Sequence, residues 1–293
     1  MLVASEKRTH LLRVGTKRVD GGSLFGAIPK ERWEVFISPD RHNRVAFGNY
    51  CALFPCEEGW VLVDTGPGDA PPPKADVMAT RGRSSLLRDL RELGINPRDI
   101  AVVVLTHLHT EHAGGATHST DAGRLLPTFP RARYVVQESA WDEACHPDER
   151  NAHLYDPEQL HPLLEMEQIE LIDGEREVVP GVWARPAPGP TDGHQIVLAE
   201  WAGGMMAFLG LLTPTLMHLT SQVVSAVDKS PENSVASKNA VLAQAVAEDW
   251  FVAPAGFDGW VAGSDLGRLL TQQPIDMGNV ATVTKRLTLA AAS

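Results

Sequence analysis

The 293-residue chain has only three cysteines, no excess of basic residues, no apolar run long enough for a membrane span, and no histidine beyond His218. Each shortage excludes something. Cys51, Cys56 and Cys145 are too few for a disulfide framework, and the Cys51/Cys56 spacing matches no zinc-finger pair, so they read as reduced thiols. With 26 Lys and Arg against 37 Asp and Glu, the formal charge is −11. Nucleic-acid binding needs cations to neutralise phosphates, so neither nucleic acid nor an anionic membrane is expected as a partner. The opening MLVASEKRTHLLRVG lacks the uninterrupted apolar core of a signal peptide, and the expected setting is cytoplasmic. There is no fixed-period repeat and no low-complexity tract.

What is present is globular: 43% hydrophobic and 22% charged residues support a large core without staples. The first 45 residues are mixed, with a Gly-rich turn at Asp20, Gly21 and Gly22 that suits positive φ. Runs at 50–55 and 60–64 flank Glu57, Glu58 and Gly59 as a hairpin. A Pro-rich loop follows, then a helix capped at Ser84 or Ser85 with Leu86, Leu87, Leu90 and Leu93, stopped by Gly94 and Pro97. Residues 101–105 form a short, β-branched run that predicts a strand buried on both faces. Further strands are expected at 133–137, 168–172, 182–185, 194–201 and 205–209, and helices at 139–145 and 233–250. Alternating strands and helices with adjacent strand pairs indicate a layered α/β sandwich.

Four of the eleven histidines fall between His107 and His118, directly after the buried run. Thr106, His107, Leu108, His109, Thr110, Glu111, His112, Ala113, Gly114 and Gly115 place three imidazoles and a carboxylate within six residues. Neutral imidazole is the commonest metal ligand. Alternation aims His107 and His109 to one side if strand geometry persists, and His109 and His112 share a face if a helix begins there.

VLVDTG at 61–66 followed by THLHTEHAGG at 106–115 resembles the metallo-β-lactamase superfamily signature His-x-His-x-Asp-His. DGGSLFGAIPK at 20–30, GRLLPTFPRARYVVQ at 123–137, HPDER at 146–150 and EDW at 248–250 resemble its lactonase-like hydrolase branch. The resemblance implies a four-layer αββα sandwich, one domain over 1–293 with its core at about 15–265 and a tail at about 266–293, and a site at the sheet edges. It also implies two zinc ions. His107 and His109 match ligands of one and His112 of the other, while Glu111 stands for the usual Asp and Asp64 is expected to orient a ligand from behind.

Three expected ligands are missing. Pro190 stands at the third histidine of the first metal, Leu211 at the bridging aspartate, and Ala255, Gly256 and Phe257 where the last histidine belongs. Pro and Leu have no side-chain donor, so rotamers cannot repair the loss. Glu for Asp moves a carboxylate outward by about 1.5 Å, against a tolerance of roughly 0.2 Å for a metal–ligand distance. The expected protein is therefore derived from a lactone, ester or thioester hydrolase and acts on a small acyl or lactone-type metabolite with one Zn or Fe ion or none. Catalysis, hydrolytic or of a lyase or cyclase type, would fall to Glu111, His109 and His112. The alternatives are a metal-free ligand-binding pseudoenzyme and an ordinary zinc hydrolase. Asp192, His194, His218 and Asp258 are further pocket candidates, with structural readings in competition: a solvated carboxylate for either Asp, and a hydrogen-bonded structural imidazole for His194.

Overall fold

A computed structural model describes residues 8–69, 79–81, 84–201, 204–256 and 259–271. The first sheet contains β1 (His10–Asp20), β2 (Arg44–Cys56), β3 (Gly59–Val63), β4 (Ala79–Arg81) and β5 (Ile100–Val104). After a small ribbon of β6 (Thr117–Ser119) and β7 (Leu125–Pro127), it is completed by β8 (Arg133–Gln137) and β9 (Ile169–Ile172). Its order is β4-β1-β2-β3-β5-β8-β9, antiparallel from β4 to β3 and parallel from β3 to β9. The second sheet runs β10 (Arg176–Val179), β11 (Val182–Pro186), β12 (Gln195–Trp201), β13 (Gly204–Phe208), β14 (Phe251–Ala253) and β15 (Val261–Ala262), in sequence order.

Burial accounts for the layering. Val102 and Val104 of β5 face a core between the sheets, with Val61, Val63, Val135, Val182, Val197 and Phe208. Val103 and Leu105 face the opposite way, with Leu62, Tyr134 and Val136, onto α3 (Leu86–Glu92) and α5 (Glu138–Cys145) through Leu86, Leu90 and Ala140. On the far side, Ile196, Leu198 and Ala207 pack against Val241, Leu242 and Ala245 of α7 (Pro231–Ala247) and Leu266 of the last helix, Gly263–Thr271. The run at 100–104 is thus buried on both faces because helices cover one and a second sheet the other. The arrangement is the four-layer αββα sandwich.

Two expectations for the first 45 residues are corrected. His10–Asp20 is an eleven-residue strand paired along its length with β2. Gly21 and Gly22 open a short helix, Gly21–Phe25, capped by the Asp20 carboxylate, which accepts from the Ser23 N–H at 2.9 Å. Glycine is required at 21 for space rather than for positive φ, because a Cβ there would lie 2.6 Å from Cζ2 of buried Trp33. Trp33, Phe25 and Met217 form a separate apolar cluster with Leu24, Val45 and Phe47.

The same argument applies at Gly193, where an added Cβ would meet the backbone and side chain of Ala140 at the start of α5. Gly193→Ala is expected to destabilise by about 1–3 kcal/mol or more through overpacking. Gly15→Ala, with nothing within 4 Å, should leave the urea midpoint unchanged or slightly raised; equal losses in the two variants would refute the packing argument.

Candidate functional site

Because β3 and β5 are parallel, their C-terminal ends lie side by side, and Asp64 and Thr106 are delivered together. The Asp64 N–H donates to the Val104 carbonyl at 2.9 Å. Asp64 is fully buried and holds φ +60, a left-handed conformation that costs a non-glycine residue of the order of 1 kcal/mol. Three donors converge on its carboxylate. The Thr106 N–H reaches Oδ1 at 2.8 Å, and the Thr106 hydroxyl and His112 Nδ1 reach Oδ2 at 2.9 and 2.7 Å. The loop behind it is pinned by the Thr65 N–H and hydroxyl, both on the His112 carbonyl, and by Asn49 Nδ2 on the Glu111 carbonyl at 2.6 Å.

These contacts fix tautomers. The Thr106 hydroxyl proton goes to Asp64, so its oxygen accepts from His107 Nδ1 at 2.9 Å. His107 Nε2 is then a bare lone pair, buried and without a hydrogen-bond partner, and His112 Nε2 is likewise unpartnered. The His107 ring lies 4.3 Å from that of His112 and 4.5 Å from that of His109, centroid to centroid. Burial, followed by its histidine neighbours, holds His107 well below the ordinary imidazole range. Burial also lowers His109 to about 3, partly opposed by Glu111. For His112 burial acts in the same direction, but the Asp64 carboxylate, its hydrogen bond and Glu111 outweigh it and raise the group to about 9.

Glu111 carries the second half of the cluster. Its Oε2 accepts from the Lys17 ammonium, which arrives from β1, and its Oε1 stands 3.6 Å from His112 Nε2, an ion-pair contact rather than a hydrogen bond. Burial would raise the Glu111 carboxyl, yet Lys17 and His112 hold it well below the usual carboxylate range. His109, Glu111 and Lys17 line a cleft of about 80 Å³ whose other walls are largely apolar, including Phe47, Leu154, Leu211 and Pro214. Lys17 was not visible in the motif, since it lies 94 residues before Glu111 on a strand of mixed composition.

The other candidates lie elsewhere. His194 Nδ1 donates to the Ala187 carbonyl at 3.0 Å and its Nε2 accepts from the Leu211 N–H at 3.0 Å, so both nitrogens of this buried ring are taken. His218 is bonded to Thr215 Oγ1 and to the Leu24 carbonyl, each at 2.9 Å, and stacks on Phe25. Asp192 is an exposed carboxylate paired with Lys229. None of the three is among the residues lining the cleft, which corrects their reading as pocket groups. Asp258 lies outside the described residues.

The donors present do not fit a two-zinc centre. Leu211 presents an apolar side chain to the cleft, Pro190 is buried, and a side chain at Gly256 would run into the Phe47 ring and the Pro214 carbonyl. His107, His109, Glu111 and His112 do come together, but with the two Nδ1 atoms held by Thr106 and Asp64 and Glu111 held by Lys17. Among the described residues no group of three or more His, Cys, Asp or Glu side chains is placed to hold a metal ion. Of the expected four-donor turn, the Nε2 atoms of His107 and His112 are buried without a hydrogen-bond partner, while His109 and Glu111 face the cleft.

The raised pKa of His112 makes a signed prediction. The folded protein binds this proton more tightly than the unfolded chain, so the contribution is complete below about pH 6.5 and is lost as pH rises through about 9. Urea unfolding across that range should show stability declining with pH, and Asp64→Asn should remove the slope while costing about 3–5 kcal/mol through the uncompensated buried group. A slope that survives Asp64→Asn would count against this assignment.

Comparison with known proteins places this geometry. The sequence profile of the metallo-beta-lactamase superfamily matches residues 47–225. An N-acyl homoserine lactonase of a Bacillus species is 32% identical over 162 residues, 52% of this chain and 58% of that relative, so the match spans little more than half of the curated protein. In fold, the chain is similar to a probable metal-dependent hydrolase from Staphylococcus aureus, with a TM-score of 0.76 at 24% identity over 87% of this chain and 91% of that one. A dizinc quorum-quenching lactonase, AidC, solved with a homoserine product, superposes with a TM-score of 0.65 at 17% identity over 84% and 86% of the two chains. With the profile covering more than half of its residues and the αββα sandwich beneath it, the chain belongs to the metallo-beta-lactamase superfamily.

Proposed function

We propose that this protein is a hydrolase of small lactone, ester or thioester substrates, working in a site that holds at most one metal ion. The observation that supports it is the polar cluster of Lys17, Glu111 and His109 set in a largely apolar cleft, the usual form of a small-molecule site. A single Zn or Fe ion would find its first ligand in the unpartnered Nε2 of His107, with His112 Nε2 joining only on loss of its proton, and would supply Lewis acidity there. The substrate is a small molecule rather than a nucleic acid. Three cysteines outside any disulfide and the acidic balance favour a cytoplasmic setting, and the chain is read as one domain over 1–293. Among the described residues no helix is long and apolar enough to cross a membrane.

The residues divide the work by charge. His109 is neutral at physiological pH and so has a lone pair for a proton from an attacking water; burial lowers its affinity for that proton, and neighbouring Glu111 offsets part of the loss by favouring the imidazolium that forms. That proton then passes to the departing alkoxide or thiolate. The cationic side of the cleft, Lys17 with His112 behind Glu111, stabilises negative charge on the carbonyl oxygen. Glu111 is held ionised, so its part is that of a carboxylate base or anchor rather than a proton donor. Mutual neutralisation of Lys17 and Glu111 also favours a second reading, a binding protein without turnover.

Two measurements separate these readings. On a panel of acyl lactones, esters and thioesters, His109→Ala and Glu111→Gln should each lower kcat/KM by about 10²–10⁴-fold with folding intact. No turnover by the wild type on any member, with ligand binding retained, would establish the binding protein. Elemental analysis of protein purified without chelator should give one metal or fewer per chain, and a value near two would restore the ordinary zinc hydrolase.

A further inference from the structure

We propose that Lys17 is the resident cation of the cleft, standing in for the second metal ion and denying the Glu111 carboxylate to any metal. This rests on the depleted-site reading above. The ammonium is bonded to Glu111 Oε2 and sits 4.9 Å from the centroid of the Phe47 ring, so it is held between a carboxylate and an aromatic face. Phe47 has a second part in the arrangement, because its ring fills the space that a side chain at position 256 would enter. Leu211 closes the remaining side with an apolar group. On this half of the site every departure from a metal-binding set acts in one direction. Donors at 211 and 256 are gone, an aromatic ring occupies the vacated volume, and the positive charge is covalently attached to β1.

The exchange changes what the cleft recognises. A metal ion takes lone pairs into open coordination positions, whereas an ammonium with one donor committed to Glu111 has further N–H groups to offer as hydrogen bonds. Because Glu111 neutralises it, Lys17 suits an uncharged acceptor, a carbonyl or ring oxygen carried on an apolar chain that the surrounding walls can cover. It would thus position a neutral ester or lactone in preference to a free carboxylate.

Cobalt(II) titration, followed by visible absorption of the bound ion, tests the replacement on the full chain. Leu211→Asp supplies a carboxylate but leaves Lys17 in place; Leu211→Asp with Lys17→Met supplies it and removes the cation while keeping an apolar stem. The double variant is expected to bind cobalt about tenfold more tightly or better than Leu211→Asp alone, a difference of ~1.4 kcal/mol. Equal affinity in the two, both folded by circular dichroism, overturns the inference. If an aspartate at 211 prevents folding, Lys17→Met against wild type decides, with more cobalt retained by the variant in support and no change against. A wild type that already holds two equivalents of cobalt would overturn the depleted-site reading, and with it the role assigned to Lys17. That outcome is distinct from equal affinities in variants of a wild type that holds fewer.

Discussion

The carboxylate of Asp64 organises everything around it. It is fully buried at the end of β3, and its three bonds, two to Thr106 and one to His112, join the ends of two parallel strands to the loop that follows the second. A buried anion with three donors is stable where an unpaired one would not be, so the loop closes in the one way that brings those donors in. Through Thr106 the constraint extends to the second sheet, because the Gln195 N–H donates to the Thr106 carbonyl at 2.8 Å. The two sheets and the histidine loop are therefore set against each other by one acidic side chain in a strained backbone conformation.

From that anchor, charges alternate outward: Asp64, His112, Glu111 and Lys17, minus, plus, minus, plus. The series sums to zero, so it needs no further counter-ion to sit against a largely apolar cleft. It also gives a physical reason for the Glu at 111. The longer side chain meets a lysine arriving from β1 while remaining within ion-pair distance of His112.

The architecture was largely legible. The β-branched run at 101–105 and the strands expected at 133–137, 182–185 and 194–201, each within a residue of the observed bounds, follow from pattern alone, because a strand covered on both faces has few alternatives. That Pro190 and Leu211 bring no side-chain ligand atom was equally plain, since no conformation gives either residue one. Lys17 was not legible, for two reasons. Its partner is 94 residues away, and a register shift between Arg13 and Gly15 re-aims β1, so a period-two reading from Leu12 and Val14 does not carry through to it. The true state of the histidines was hidden as well. Composition counts imidazoles, but only the network shows which nitrogens are spent, and it leaves His194 and His218 with none free.

Phe47 couples position 256 to the apolar cluster beneath the cleft. A histidine introduced at position 256 would meet the Phe47 ring and the Pro214 carbonyl. The ring would first have to shrink, and shrinking it would open a void in the Leu24, Trp33 and Val45 cluster and strip the lysine of its aromatic cover. A side chain at 256 is thus unfavourable until Phe47 has changed, a steric ordering between residues far apart in the chain.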